Sequence, residues 1–226
     1  LAAAQRQLHR PAFRDVVERH EVLRTRYPDT GSGPVQEILA VRDVAPRLTP
    51  IEVTEADLAE KVTALVTDGF DVTQAAPLRG ALFTVSPTEH VLVVVVHHIS
   101  ADGYSMMPLT RDVMVAYSAR VERDVPTWSP LPVQYADFAL WQRDLLGDED
   151  DSESLLRRQL SYWTGELAGA PEVLWLPTDR PRPARATGRG AEFEFALDAA
   201  QTAGLSELAR THNSTEFMVM HAAFAV

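Results

Sequence analysis

The sequence predicts an α/β (α+β) sandwich, a sheet with helices packed on it. Three observations carry this. "LRGALFTV" (78–85) and "HVLVVVVHH" (90–98) read as paired strands joined by "SPTE" (86–89). The unbroken valines 93–96 imply a strand covered on both faces. Segments before and after this pair carry apolar residues at helical spacing. The 226 residues suit one large domain or two small ones, and 46% apolar content is enough for a core.

Taken in order, residues 11–27 place Phe13, Val16, Val17, His20, Leu23 and Tyr27 on one helical face, with Pro11 near the start where proline is tolerated. "GSGP" (31–34) breaks this pattern, and "VQEIL" (35–39) reads as a strand. A helix follows from Thr54, where "TEAD" resembles a capping box, with Leu58, Val62 and Leu65 on one face. After the strand pair, a helix opens at Gly103 with Met106, Leu109, Val113 and Tyr117 as its buried stripe. Residues 133–146 and 155–169 read as two helices around the acidic run "GDEDDSES" (147–154), a solvated loop. Residues 176–190 are rich in Pro, Gly and Arg and read as a linker. "AEFEFALD" (191–198) alternates as a strand, and two helices begin near Ala199 and Ser214. The last stops at Val226 while still apolar, so the chain reads as a fragment.

A net charge of −11 argues against a general nucleic-acid binder. No stretch has the apolar length of a membrane span, and the opening residues do not read as a signal peptide. The absence of cysteine removes disulfide and thiolate chemistry and fits a reducing compartment, so the expected location is cytoplasmic.

The chemistry concentrates in "VVVVHHISADGYS" (93–105), where an apolar strand runs into His97, His98 and Asp102. Adjacent strand residues point to opposite faces, so one histidine should face a cleft and the other should pack in the core. Asp102, just before the helix at Gly103, could pair with an arginine and fix the loop, while the helix N-terminus offers amides to a developing oxyanion. Three readings stay open on spacing alone. The histidines are two satisfied groups at a strand end, or metal ligands, or one of them is a general base. The opposed side chains and the lack of a further ligand cluster disfavour the metal, and neither Ser100 nor Ser105 sits in a G-x-S-x-G elbow.

"HHISADG" (97–103) resembles the HHxxxDG motif of nonribosomal peptide synthetase condensation domains, members of the chloramphenicol acetyltransferase-like superfamily. "RHEVLRT" (19–25), "FDVTQAAPLR" (70–79), "YADFALWQ" (135–142), "YWTGELAGAP" (162–171) and "LPTDRPRP" (176–183) resemble further family motifs in type and order. The opening motif is only weakly matched by "AAAQRQLH" (2–9), with Gln7 and His9 where the family has arginine and tryptophan. The few dozen residues that normally separate it from "RHEVLRT" are absent between positions 10 and 11.

The resemblance implies a V of two lobes, each a mixed sheet covered by helices, with the active site at the base of the cleft. By position, His98 would be the catalytic histidine and His97 the structural one. Asp102 would hold its loop through Arg24, with Arg19 or Arg79 behind it, and Gly103 would leave room for substrate. The chain would comprise a first lobe (1–175), a linker (176–190) and the opening of a second lobe (191–226), expected to be inactive alone. No cofactor would be bound. The substrates would arrive as thioesters on the phosphopantetheine arms of upstream and downstream peptidyl carrier proteins, beside an adenylation domain, in secondary-metabolite biosynthesis. No nucleic-acid or membrane partner is implied. The alternatives are an epimerisation domain of the same superfamily and a non-catalytic carrier-docking module. The linker arginines Arg180, Arg182, Arg185 and Arg189 are candidates for carrier docking, against solvated flexibility.

Overall fold

The computed structural model describes residues 2–185 and 190–225, with backbone alone for 2–9. Two compact units divide the chain, Leu1–Ala168 and Gly169–Val226.

In the first unit, α1 (Ala2–Arg19) starts well before the proline expected at its opening, so Pro11 lies inside it. It ends sooner than the periodicity predicts. Glu21–Arg24 tighten into a single 3-10 turn, and β1 (Thr25–Arg26) pairs antiparallel with β2 (Glu37–Ile38). The apolar spacing continues through Leu23 because that residue still packs into the core, although the helix has stopped. A short helix α2 (Val41–Val44) and β3 (Pro50–Glu52) follow, neither signalled by a periodic run. The third helix, α3 (Glu55–Thr67), is capped by Thr54, whose hydroxyl accepts from the Asp57 amide at 3.2 Å and donates to the Asp57 carboxylate at 2.7 Å. Leu58, Val62 and Leu65 are its half-buried residues.

The sheet has order β3-β4-β5, with β4 (Leu78–Thr84) central. The β3–β4 pair is parallel. The β4–β5 pair is antiparallel, from Leu78 opposite Val96 to Thr84 opposite His90. This makes the sheet mixed. β5 (His90–Val96) is an edge strand, and all its residues are half-buried rather than fully covered as the valine run predicts. Leu92, Val94 and Val96 pack on the core, and α3 also touches the strand, but no strand shields its outer edge among the described residues.

The core is where α1 crosses α4 (Gly103–Val121) above the sheet. Phe13, Val16 and Val17 meet Leu82, Leu109 and Ala116. The buried stripe of α4 is Leu109, Asp112 and Ala116, with Val113 and Tyr117 beside it. Met106, expected within the stripe, is exposed because it precedes the crossing. Helices α5 (Tyr135–Leu146) and α6 (Leu155–Glu166) flank the acidic loop. Gly147, at φ +75°, ends α5 in a conformation that favours glycine.

In the second unit, the described linker residues form no regular element. The expected strand at 191–198 also does not form: no ladder partner stands beside it among the described residues, and Phe193 and Phe195 are exposed. A strand has no satisfied backbone without a neighbour. Helices α7 (Ala199–Thr211) and α8 (Glu216–Phe224) start at caps on Asp198 and Thr215, each accepting the backbone N–H three residues on.

Candidate active site

The site is built where β5 runs into α4. The hairpin register ends with Val96 opposite Leu78, and the His97 amide then donates to the Pro77 carbonyl at 2.9 Å. A tight turn follows, with the Ser100 amide donating to the His97 carbonyl at 2.9 Å. The turn also fixes the His97 ring, whose Nδ1 accepts the Ile99 amide at 3.0 Å. That ring meets Phe70 edge-on, with centroids 5.8 Å apart. On Phe70 also lies the Arg79 guanidinium, 4.1 Å from the ring centroid, donating to the carbonyls of Asp68 and Gly69 and paired with the Asp68 carboxylate at 3.2 Å. His97 is half-buried, not fully buried as predicted, because the strand has already ended and the ring packs against a loop.

His98 is exposed and lines a cavity of about 350 Å³ with Val22, Ser100, Asp102, Ser105 and Tyr135. A second cavity of about 250 Å³, mostly apolar, shares Val22, Ser100, Ala101 and Ser105 with it and extends to His20, Leu23, Pro108 and Leu109. The buried Tyr27 hydroxyl lies near the Ser100 hydroxyl, but outside hydrogen-bonding geometry. Burial pushes the Tyr27 phenol above its ordinary pKa, and the Ser100 hydroxyl only partly offsets this.

Asp102 does not pair with an arginine. It is the N-cap of α4: its Oδ1 accepts the Ser105 amide at 2.9 Å and the Ser105 hydroxyl at 2.6 Å, while the Ser105 hydroxyl accepts the Asp102 amide at 3.1 Å. These Ser105 hydrogen bonds hold the carboxyl below its ordinary pKa, and the nearby His98 adds a smaller pull in the same direction. The three arginines expected to meet it are committed elsewhere. Arg24 donates to the Leu39 carbonyl at 2.8 Å and to Glu21 at 3.1 Å. Arg19 donates to Asp112 at 2.9 Å, and Arg79 is held over Phe70. An exposed carboxylate satisfied by its own helix terminus needs no guanidinium, whereas a buried one does.

The buried acid is Asp112, only 3% exposed, which the sequence reading missed. It takes hydrogen bonds from Arg19 at 2.9 Å and Arg111 at 3.2 Å, and lies 2.9 Å from His20 Nε2. Burial alone would raise its pKa, but the hydrogen bonds from His20, Arg19 and Arg111 outweigh it and hold the carboxyl below the ordinary value. The available signal was a lone acid three residues after Leu109 on an apolar helix face. Gln134 was missed as well. Its amide donates to the Arg19 carbonyl at 2.9 Å and accepts the Glu21 amide at 3.2 Å, tying the 3-10 turn to the start of α5.

At Gly103 no atom lies within 4 Å of where a Cβ would stand, so the space before the helix start is open. The first-turn amides of Gly103 and Tyr104 have no intrahelical acceptor. The exposed His98 imidazole shares its cavity with Asp102 and Ser105, the cap that opens α4, and a helix start is suited to proton transfer next to a developing oxyanion. Among the described residues no group of three His, Asp or Glu is placed to hold a metal, and no helix is long and apolar enough to cross a membrane. Arg180, Arg182 and Arg185 are exposed, with Arg182 donating to the Leu174 carbonyl at 2.9 Å. Arg189, and the side chains of Gln7 and His9, lie outside the described residues.

The chain is 49% identical over 214 residues to the probable non-canonical nonribosomal peptide synthetase CymA of Salinispora arenicola, covering 95% of this chain and 3% of that protein. It is 44% identical over 218 residues to the isonitrile lipopeptide synthase of Mycobacterium tuberculosis, covering 95% of this chain and 9% of that protein. Among solved structures, the X-domain in complex with OxyB from teicoplanin biosynthesis matches at TM-score 0.86 and 39% identity, over 92% of this chain and 45% of that one. The chain thus spans a small part of these synthetases and under half of that domain. The family model described as Condensation domain matches residues 4–226, and the chain belongs to that family.

Proposed function

We propose that these residues form part of an amide-forming acyltransferase, with His98 as its catalytic histidine. The acceptor α-amine, on the phosphopantetheine arm of a downstream carrier protein, attacks the thioester carbonyl of an acyl or peptidyl group on an upstream carrier. A C–N bond forms and the C–S bond breaks. The amine proton passes through His98 to the departing thiolate. An α-amine has a reference pKa of about 8, so a strong base is unnecessary and His98 can act as much by orienting the amine as by removing its proton. In this reading the first-turn amides of Gly103 and Tyr104 stabilise the negative charge that develops on the carbonyl oxygen. Holding the two arms in line turns two tethered reactants into one oriented pair, worth up to about 7–11 kcal/mol.

The observation that carries this reading is the open placement of His98 beside the start of α4, while His97 is locked against Phe70. Asp102 serves the same site by capping α4 and fixing the turn. The 226 residues span 45% of the matched X-domain, so we propose that alone they lack the second wall of the cleft and do not turn over. The test is dipeptidyl-thioester formation between two loaded carrier proteins, by the longer protein containing these residues and by its His98→Ala variant. Loss of product in the variant supports the reading, and undiminished product refutes it.

A second reading has one observation in its favour: the similar X-domain was solved in complex with OxyB. A non-catalytic, partner-recruiting role would give no product in either protein, while a partner would still be retained by both.

A further inference from the structure

We propose that the pocket formed by Arg10, Arg14, Arg42 and Arg47 is a binding site for a phosphate-class oxyanion. It is a hollow of about 290 Å³ between α1 and the α2 loop, with Pro11, Val41, Ala45 and Pro46 completing its wall. No carboxylate lines it. All four arginines are exposed, whereas the more buried Arg19, Arg26 and Arg120 of this chain of net charge −11 are paired with Asp112, Glu37 and Asp15.

The cluster concentrates positive charge on an exposed face, with Glu18, one turn beyond Arg14, the nearest acid on α1 left without a partner among the ion pairs of the described residues. Arg10 and Arg14 stand one turn apart on the same helix, where like charges repel. The acid next to Arg14 is no help, because both oxygens of Asp15 are taken by Arg120 at 2.6 and 2.7 Å. Among the described residues Arg10, Arg14 and Arg47 make no ion pair. Arg42 has only Asp43, at 3.7 Å, with both side chains largely exposed, which is a weak and exchangeable pair.

Four arginines line an otherwise apolar hollow, and a guanidinium carries a planar N–H fork that matches two oxygens of a tetrahedral phosphate. The ligand chemistry is the same for free phosphate and for the phosphate of a phosphopantetheine arm, and the experiment separates these sources.

Inorganic phosphate and coenzyme A, which carries that arm, are titrated separately into the 226-residue chain by calorimetry at low ionic strength. The expected result is saturable one-site binding. It weakens at least tenfold in Arg14→Gln and Arg47→Gln, weakens less in Arg14→Lys, which keeps the charge and loses the fork, and is unchanged in Arg143→Gln on α5. Coenzyme A binding at least tenfold tighter than phosphate identifies the arm as the source, and equal affinities identify the free oxyanion. Circular dichroism checks the fold, and Arg42→Gln, at a side chain 82% exposed, carries the test if another variant unfolds. Absence of saturable binding of both probes, or binding insensitive to these pocket substitutions, overturns the proposal.

Discussion

The Arg19 guanidinium, on the last turn of α1, donates to the Asp112 carboxylate of α4 at 2.9 Å, with both side chains largely buried. The same arginine lies over Trp128 and donates to the Ser129 carbonyl at 2.8 Å, so one residue fixes the helix crossing to the segment that leads into α5. Asp112→Ala strands Arg19 and is expected to cost about 3–5 kcal/mol, read as a lowered urea midpoint. The Asp112 carboxyl is depressed, so its stabilisation is fully present above the unfolded value of about 3.9 and is lost as pH falls through the folded value. Acid unfolding curves of the wild type and Asp112→Asn should therefore converge below about pH 4.

Asp102 acts through its helix cap. Asp102→Ala should lower the melting temperature, while Asp102→Ser should restore most of it, because serine also caps. A double-mutant cycle between Asp102 and Arg24 should show no coupling, since Arg24 is engaged with Glu21 and the Leu39 carbonyl. Clear coupling would put the pair back in contact.

Tyr27 should behave as a phenol that gains nothing from its hydroxyl. The group is buried without a hydrogen-bond partner, so Tyr27→Phe is expected to be neutral or stabilising by up to about 1 kcal/mol in chemical denaturation. Spectrophotometric titration should find this tyrosine ionising above the ordinary value, as burial raises it.

Leu82 on the central strand is fully buried beneath α1 and α4. Leu82→Ala should cost about 2–5 kcal/mol, measured by the same denaturation. An exposed leucine such as Leu140, at 70% exposure, should cost well under 1 kcal/mol, within roughly the ±0.5 expected of surface changes.

The elements legible in the sequence are those whose local pattern and tertiary setting agree. The hairpin 78–96 shows as two β-rich runs with a turn between them, and α3 shows through Thr54 and Asp57, both local features. Residues 191–198 have the alternation of a strand, but alternation alone supplies no partner for the ladder. Strands β1 and β3 are too short to carry a period, and the end of α1 is hidden because Leu23 stays in the core after the helix stops. Within the site, the different settings of His97 and His98 agree with the strand-parity expectation, but both residues lie past the strand end, in a turn that holds the His97 ring against Phe70 and leaves His98 exposed. The partner of Asp102 does not follow from spacing, since it depends on Asp112 drawing Arg19 inward and on Glu21 engaging Arg24.

In the proposed function His98 does the chemistry and His97 holds the turn. This division is tested most directly by measuring dipeptidyl-thioester formation and melting temperature together for His98→Ala and His97→Ala in the longer protein containing these residues. His98→Ala is expected to lose about 10²–10⁴-fold in rate at an unchanged melting temperature. His97→Ala, which removes the acceptor for the Ile99 amide and the contact with Phe70, should melt earlier. Full turnover in His98→Ala, or a large fall in its stability with none in His97→Ala, would overturn this division of roles.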